Sequence, residues 1–154
     1  MSLGYCYNAT NNDEIYGNTP PAVGYDFFKG PRGDDGKILP MTSFNKYING
    51  TDPRTKYETY NYMRGLNADG SHVIDPVENR ITSFVCSGDP ITNEGWVDTG
   101  PADRRFMLSS GPFTFAPGDT QEIVAAIILG QGSDRLTSIR ALKFYDKYAQ
   151  DAFD

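Results

Sequence analysis

DRRFMLSSGPFTFAPGDTQEIVAAIILGQGSDRLTSIRALKFYDKYAQDAFD, residues Asp103 to Asp154, decides the fold of this chain. Phe106 and Leu108 alternate with polar neighbours, as Phe113 and Phe115 do around Thr114, which is the period of a half-buried strand. Ala116-Pro117-Gly118-Asp119 fits a type II turn, with proline at its second position and glycine at its third. Ile123 to Leu129 is apolar on both faces, which predicts a strand central in its sheet. A helix near 133–153 follows, capped by Ser133, with an inward stripe of Leu136, Ile139, Leu142, Tyr145, Ala149 and Phe153. The block reads as a hairpin with a helix docked on it. It is a scaffold signal and carries no chemistry.

Upstream, Leu3–Tyr7 alternates like a strand, and Asn8–Pro21 is a loop of Asn, Asp, Gly, Thr and Pro. Ala22–Phe28 alternates again, with Val23, Tyr25 and Phe27 on one face. Gly30–Lys37 is turn chemistry throughout, and Ile38–Asn49 is strand-like but broken by Pro40. Asp52-Pro53 marks a helix start near 52–64, with Tyr57, Tyr60, Met63 and Arg64 at helical spacing and Gly65 just past its end. Val73-Ile74 and Arg80–Cys86 are short strands. Asp89–Ala102 is a long loop with the only tryptophan, Trp96.

The chain has 154 residues, 38% of them hydrophobic, enough for one domain with its own core. Gly 16, Pro 10, Tyr 10 and Phe 9 favour many short strands with structured loops. The net charge of -6 argues against a nucleic-acid partner, whose phosphates need a basic face. The longest apolar run, Ile123–Leu129, is strand-sized and too short to span a bilayer. No signal peptide precedes Gly4-Tyr5, and the chain opens as if in mid-strand, which reads as a piece of a longer protein.

Enzymatic readings fail one by one. With His72 the single histidine, in a Gly-Ser-rich turn, a nucleophile-His-Asp arrangement has one place to use and no G-x-S-x-G elbow to accompany it. Gly130-Gln131-Gly132 lacks the third glycine of a dinucleotide loop. Twenty acidic residues always permit a carboxylate pair suited to glycoside hydrolysis, but spacing selects none. Calcium is a minor candidate on three turns rich in side-chain oxygen: Asn11-Asn12-Asp13-Glu14, Asp34-Asp35-Gly36 and Asn67-Ala68-Asp69-Gly70. No other cofactor is implied. Trp96 with nearby tyrosines is the one candidate ligand platform, for a sugar or a peptide. Cys6 and Cys86 read either as two buried thiols or as one disulfide.

Read together, Pro20–Pro31 (PPAVGYDFFKGP), Met41–Gly50 (MTSFNKYING), Tyr57–Gly70 (YETYNYMRGLNADG), Ser87–Asp98 (SGDPITNEGWVD) and Asp103–Asp154 resemble a region of large secreted proteins of Bacteroidetes-type bacteria. Many of those proteins end in a sorting domain for type IX secretion. The resemblance implies a secreted or outer-cell-surface location and a longer parent, and it supplies no catalytic residue. It also implies apolar residues at positions 6 and 86, so the paired departure favours a Cys6–Cys86 bond.

The expectation is therefore an α+β, mostly β single domain over 1–154: a β-sandwich, of which the immunoglobulin-like arrangement is one form, with helices near 52–64 and 133–153. The expected function is a non-catalytic structural or adhesion module of a secreted bacterial protein, with a carbohydrate-binding or hydrolase-accessory module as the alternative. Expected partners are neighbouring domains of the parent chain and a glycan or protein surface, with no nucleic acid and no membrane insertion.

Overall fold

The computed structural model describes residues 2–48 and 50–154; Asn49, the last residue of the strand expected from Ile38, lies outside them, as does Met1. The elements are β1 (Leu3–Cys6), β2 (Ala22–Lys29), β3 (Met41–Tyr47), α1 (Lys56–Met63), β4 (Val73–Asp75), β5 (Arg80–Thr82), β6 (Arg105–Ser110), β7 (Val124–Gly130) and α2 (Arg135–Phe153). The architecture is α+β and mostly β, in small sheets ordered β1-β2-β7, β3-β6 and β4-β5. The chain divides into two compact units. One joins Met1–Phe28 to Ile123–Asp154, and the other is Lys29–Glu122.

In the first unit β1 and β2 are antiparallel, with Leu3 opposite Asp26 and Cys6 opposite Val23. Gln131, just past β7, donates to the Thr19 carbonyl at 2.9 Å, and Glu122, just before β7, pairs with Lys29 at the end of β2. Those two contacts run β7 antiparallel to β2. Alternation then splits the sheet into two faces. Ala22, Gly24 and Asp26 of β2 and Ile128 and Gly130 of β7 are buried, whereas Tyr25, Ile127 and Leu129 point the other way and are exposed.

Helix α2 covers the buried face. Its N-cap is Asp134, one residue beyond the expected Ser133: Asp134 Oδ1 accepts the Leu136 and Thr137 amides at 2.8 and 2.9 Å, and Thr137 Oγ1 accepts the Asp134 amide at 2.8 Å. This reciprocal box satisfies N–H groups that a helix start leaves orphaned. The helix buries Ser138, Ile139, Leu142 and Asp146, while Tyr145, expected inside, is exposed. The physical reason is close packing on small residues. Ser138 Oγ donates to the Pro20 carbonyl at 2.7 Å and accepts the Gly132 amide at 3.0 Å, which draws the helix onto the sheet.

At that contact a Cβ on Gly130 would lie 2.1 Å from the Leu142 nitrogen and 2.5 Å from the Ser138 carbonyl oxygen. Gly130→Ala therefore forces backbone apart, at a cost of about 1–3 kcal/mol, the range of overpacked cores. A denaturant midpoint equal to that of the unaltered chain would show that the helix does not seat on β7.

Two further expectations are corrected here. The segment Ile123–Leu129 does not form a central strand. In the order β1-β2-β7 it is an edge, and its second apolar face also lies bare, with Ile127 and Leu129 exposed. Nor do β6 and β7 form a hairpin: β6 pairs with β3, and Phe113 and Phe115 lie outside any strand. The Ala116–Asp119 turn does form, with Gly118 at φ 94° and Asp119 N donating to the Ala116 carbonyl at 3.0 Å.

In the second unit β3 and β6 pair antiparallel with Phe44 stacked on Phe106 at 5.5 Å. Helix α1 starts at Thr55, whose hydroxyl accepts the Glu58 amide while Glu58 accepts from the Arg54 amide, so the cap falls three residues later than Asp52. Gly65 follows the helix at φ 72°, as its place past the end requires. Tyr57, Tyr60 and Met63 face solvent, and the inward ring is Tyr62, stacked on Tyr47 at 5.7 Å with its hydroxyl donating to the Thr51 carbonyl at 2.9 Å. Buried Ser43 and Asn45 of β3 hold α1 and the turn after it by donating to the carbonyls of Met63 and Leu66 at 2.7 and 2.9 Å.

Candidate functional site

The most unusual chemistry in the molecule lies between β2 and α2. Ala22, Gly24 and Asp26 share the inward face of β2, so a carboxyl enters the core in register with two small residues. On α2, Asp146 follows Leu142 by four and Ile139 by seven, the spacing of one helical face. Asp26 is 2% exposed and Asp146 is 1% exposed, and the Oδ1 atom of each has no hydrogen-bond partner. The two side chains hydrogen-bond to each other.

Burial raises the Asp146 carboxyl to about 7, and the neighbouring Asp26 charge and the hydrogen bond to Asp26 add to the rise. Desolvation and a like charge both disfavour a second carboxylate in one apolar site, so Asp146 keeps its proton in mild acid and donates it across the gap. The pair thus binds a proton where neither acid would hold one in water. A glycosidase holds its carboxylates about 5 Å or more apart with the sugar between them, and these two touch in the core.

A second cluster sits in the second unit. Asp98 accepts from Arg104 Nε at 2.6 Å and Nη2 at 3.1 Å, and pairs with Lys46 of β3. Burial alone would raise Asp98, but the hydrogen bonds from Arg104 and Lys46 outweigh it and hold the carboxyl below its ordinary value. Arg104 Nη2 also donates to the Gly100 carbonyl at 2.6 Å, which ties down the loop that carries Trp96. Trp96 itself is half-buried, and its carbonyl accepts the Gly88 amide at 2.9 Å. It is neither on an exposed flat face nor in the core.

Of the two readings, paired or separate, Cys6 and Cys86 are free thiols in this structure. Cys6 ends β1 in the first unit, whereas Cys86 follows β5 in the second. Burial pushes both thiols up, with Lys46 and Arg104 opposing the rise at Cys86. A thiol held protonated is a poor nucleophile and a poor metal ligand.

The three oxygen-rich turns use their carboxylates locally. Asp13 Oδ1 accepts the Ile15 and Tyr16 amides, both at 2.9 Å; Asp35 Oδ1 accepts the Lys37 amide at 3.0 Å; Asp69 Oδ1 accepts the Ser71 hydroxyl at 2.7 Å and its amide at 2.9 Å. These bonds hold all three acids below the ordinary carboxylate value. Among the described residues no group of three His, Cys, Asp or Glu side chains converges on a point that could hold a metal ion. Asp34 instead borders a shallow polar cleft of about 430 Å³, opposite Thr114, Asp119, Thr120 and Gln121. Exposed Phe115 follows Thr114 directly in the chain.

Sequence reasoning passed over Asp26 and Asp146. The signal was available: an acid at an alternating position inside AVGYDFF, and a second acid on the helical stripe of Ile139 and Leu142.

Among the described residues no helix is long and apolar enough to cross a membrane. Compared with family models, with curated proteins and with solved structures, the chain matches none.

Proposed function

We propose that this chain is a non-catalytic structural or adhesion module of a secreted or cell-surface bacterial protein. In this reading a neighbouring domain of a longer parent packs on the open face of β1-β2-β7 and completes a β-sandwich. The observation that carries the reading is the bare second face of β7. Ile127 and Leu129 are each 62% exposed on an edge strand, where soluble domains usually place charge, proline or cover. Two sheets packed face to face would remove that apolar area from water at the usual spacing of about 10 Å. The contact between the buried acids supports the non-catalytic part. The secreted location rests on the resemblance of the Pro20–Pro31 and Asp103–Asp154 blocks.

Amide hydrogen exchange tests the proposal. The β7 amides are expected to exchange more slowly when the chain is expressed with its flanking domains than when it is expressed alone. Glycan and peptide libraries are expected to show no turnover with either form. Equal exchange in the two forms would defeat the packing role, and turnover lost on Asp26→Asn would defeat the non-catalytic one.

One observation favours a second reading. The polar cleft beside Asp34, Thr114, Thr120 and Gln121, with Phe115 exposed next to Thr114, offers hydroxyl-matching groups and an aromatic face, as carbohydrate modules do. Glycan-array binding that is lost on Phe115→Ala and kept on Trp96→Ala would favour it.

A further inference from the structure

Helix α2 carries a second apolar stripe on the side away from the sheet. Phe144 is 66% exposed, Tyr148 is 71% exposed, and Tyr145 flanks them at 50% with its ring edge-on to Phe144 at 5.7 Å. A helix in a soluble domain normally turns charged and polar groups to that side. Here the aromatic pair is bracketed by charge, with Arg140 one turn before Phe144 and Asp151 one turn after Tyr148, both exposed.

This pattern is its own complement. Turn a second α2 antiparallel to the first about a two-fold axis, and Phe144 faces Tyr148 of the other copy when the axis passes level with position 146. Arg140 faces Asp151 of the other copy when it passes level with position 145.5. At 1.5 Å of rise per residue the two registers differ by a slide of about 1.5 Å, within the reach of an arginine side chain, so one arrangement satisfies both. A two-fold interface requires this reciprocity, in which residue i of one copy meets j of the other and j meets i. Lys147, already 2.9 Å from Asp151 within the helix, would share that carboxylate with the incoming Arg140.

We infer that the outer stripe Arg140–Phe144–Tyr148–Asp151 is an interface for a second copy of this chain, formed by antiparallel pairing of two α2 helices. The occupant follows from the charges: opposite signs at equal distance from the centre fit another α2 and repel its parallel alignment.

Sedimentation velocity over a concentration series provides the test. The chain is expected to pass from monomer to dimer, more weakly at 500 mM than at 50 mM salt. Phe144→Glu with Tyr148→Glu is expected to remain monomeric with unchanged helix content, because both rings face solvent. Arg140→Asp and Asp151→Arg should each self-associate at least tenfold more weakly. Their equimolar mixture should dimerise more tightly than either alone, since each variant supplies the charge that the other lacks. A monomer at every concentration, or a mixture no tighter than its components, overturns the proposal. So does a monomer whose aromatic stripe binds phospholipid vesicles or a glycan instead.

Discussion

Asp146→Asn is expected to raise the stability of the chain at pH 8 and to flatten its dependence on pH between 4 and 8. The sign follows from proton linkage. Asp146 titrates near its ordinary value of 3.8 when unfolded and at about 7 when folded, so the folded state binds the extra proton between those limits. Its contribution is fully present below pH 4, falls as pH rises toward 7, and is constant and absent above it. Three units correspond to about 4 kcal/mol as an upper figure. Asparagine keeps a donor for Asp26 and cannot ionise, so the variant should match the unaltered chain in mild acid and exceed it at pH 8. The lowered acids, Asp98 among them, act in a separate window: their stability is present above about 4 and lost as pH falls through their depressed values. Thermal midpoints at half-unit pH steps separate the two. An unaltered chain equally stable at pH 5 and pH 8 would sink the shared-proton account.

Ile139→Ala should destabilise by about 2–5 kcal/mol, the range for removing a fully buried aliphatic side chain. Ile139 is 0% exposed at the centre of the helix–sheet contact. Tyr145→Ala removes far more atoms, yet it is expected to change stability by less than about 0.5 kcal/mol because that ring faces water. Denaturant midpoints for the two variants therefore report which side of α2 is seated. A Tyr145 variant as damaged as the Ile139 variant would mean that the helix is rotated toward the register read from sequence.

That pair of variants also marks where the sequence was legible. The 3.6-residue period located α2 nearly to its ends, and period-two alternation located β1, β2 and β6. Period alone could not choose between Tyr145 and Asp146, since both lie near the stripe and hydrophobicity favoured the ring. Tertiary contact decided otherwise, because Gly24 and Gly130 bring the helix too close for a tyrosine. The same limit applies to β7. A run apolar on both faces predicts cover on both sides, and the chain itself provides a helix on one. Trp96 stood out by rarity, whereas the loop that holds it is organised by Asp98 and Arg104, two of many charges in the sequence. The pairing of Asp26 with Asp146 spans nearly the whole chain, and no local pattern reports a contact of that separation.

Such separation sets an order of events during synthesis. The second unit is contiguous, and its two ends meet through the Lys29–Glu122 ion pair and through Gln121, whose amide bonds the Arg32 amide and carbonyl at 2.9 and 3.3 Å. It can close while the ribosome is still adding residues beyond it, since domains made first fold first. The hairpin of β1 and β2 has no such freedom: its missing strand and its cover emerge only after the whole second unit. Until then Asp26 stands in water. Its burial against Asp146 is the closing step of the first unit, taken only after the whole of the second has been made.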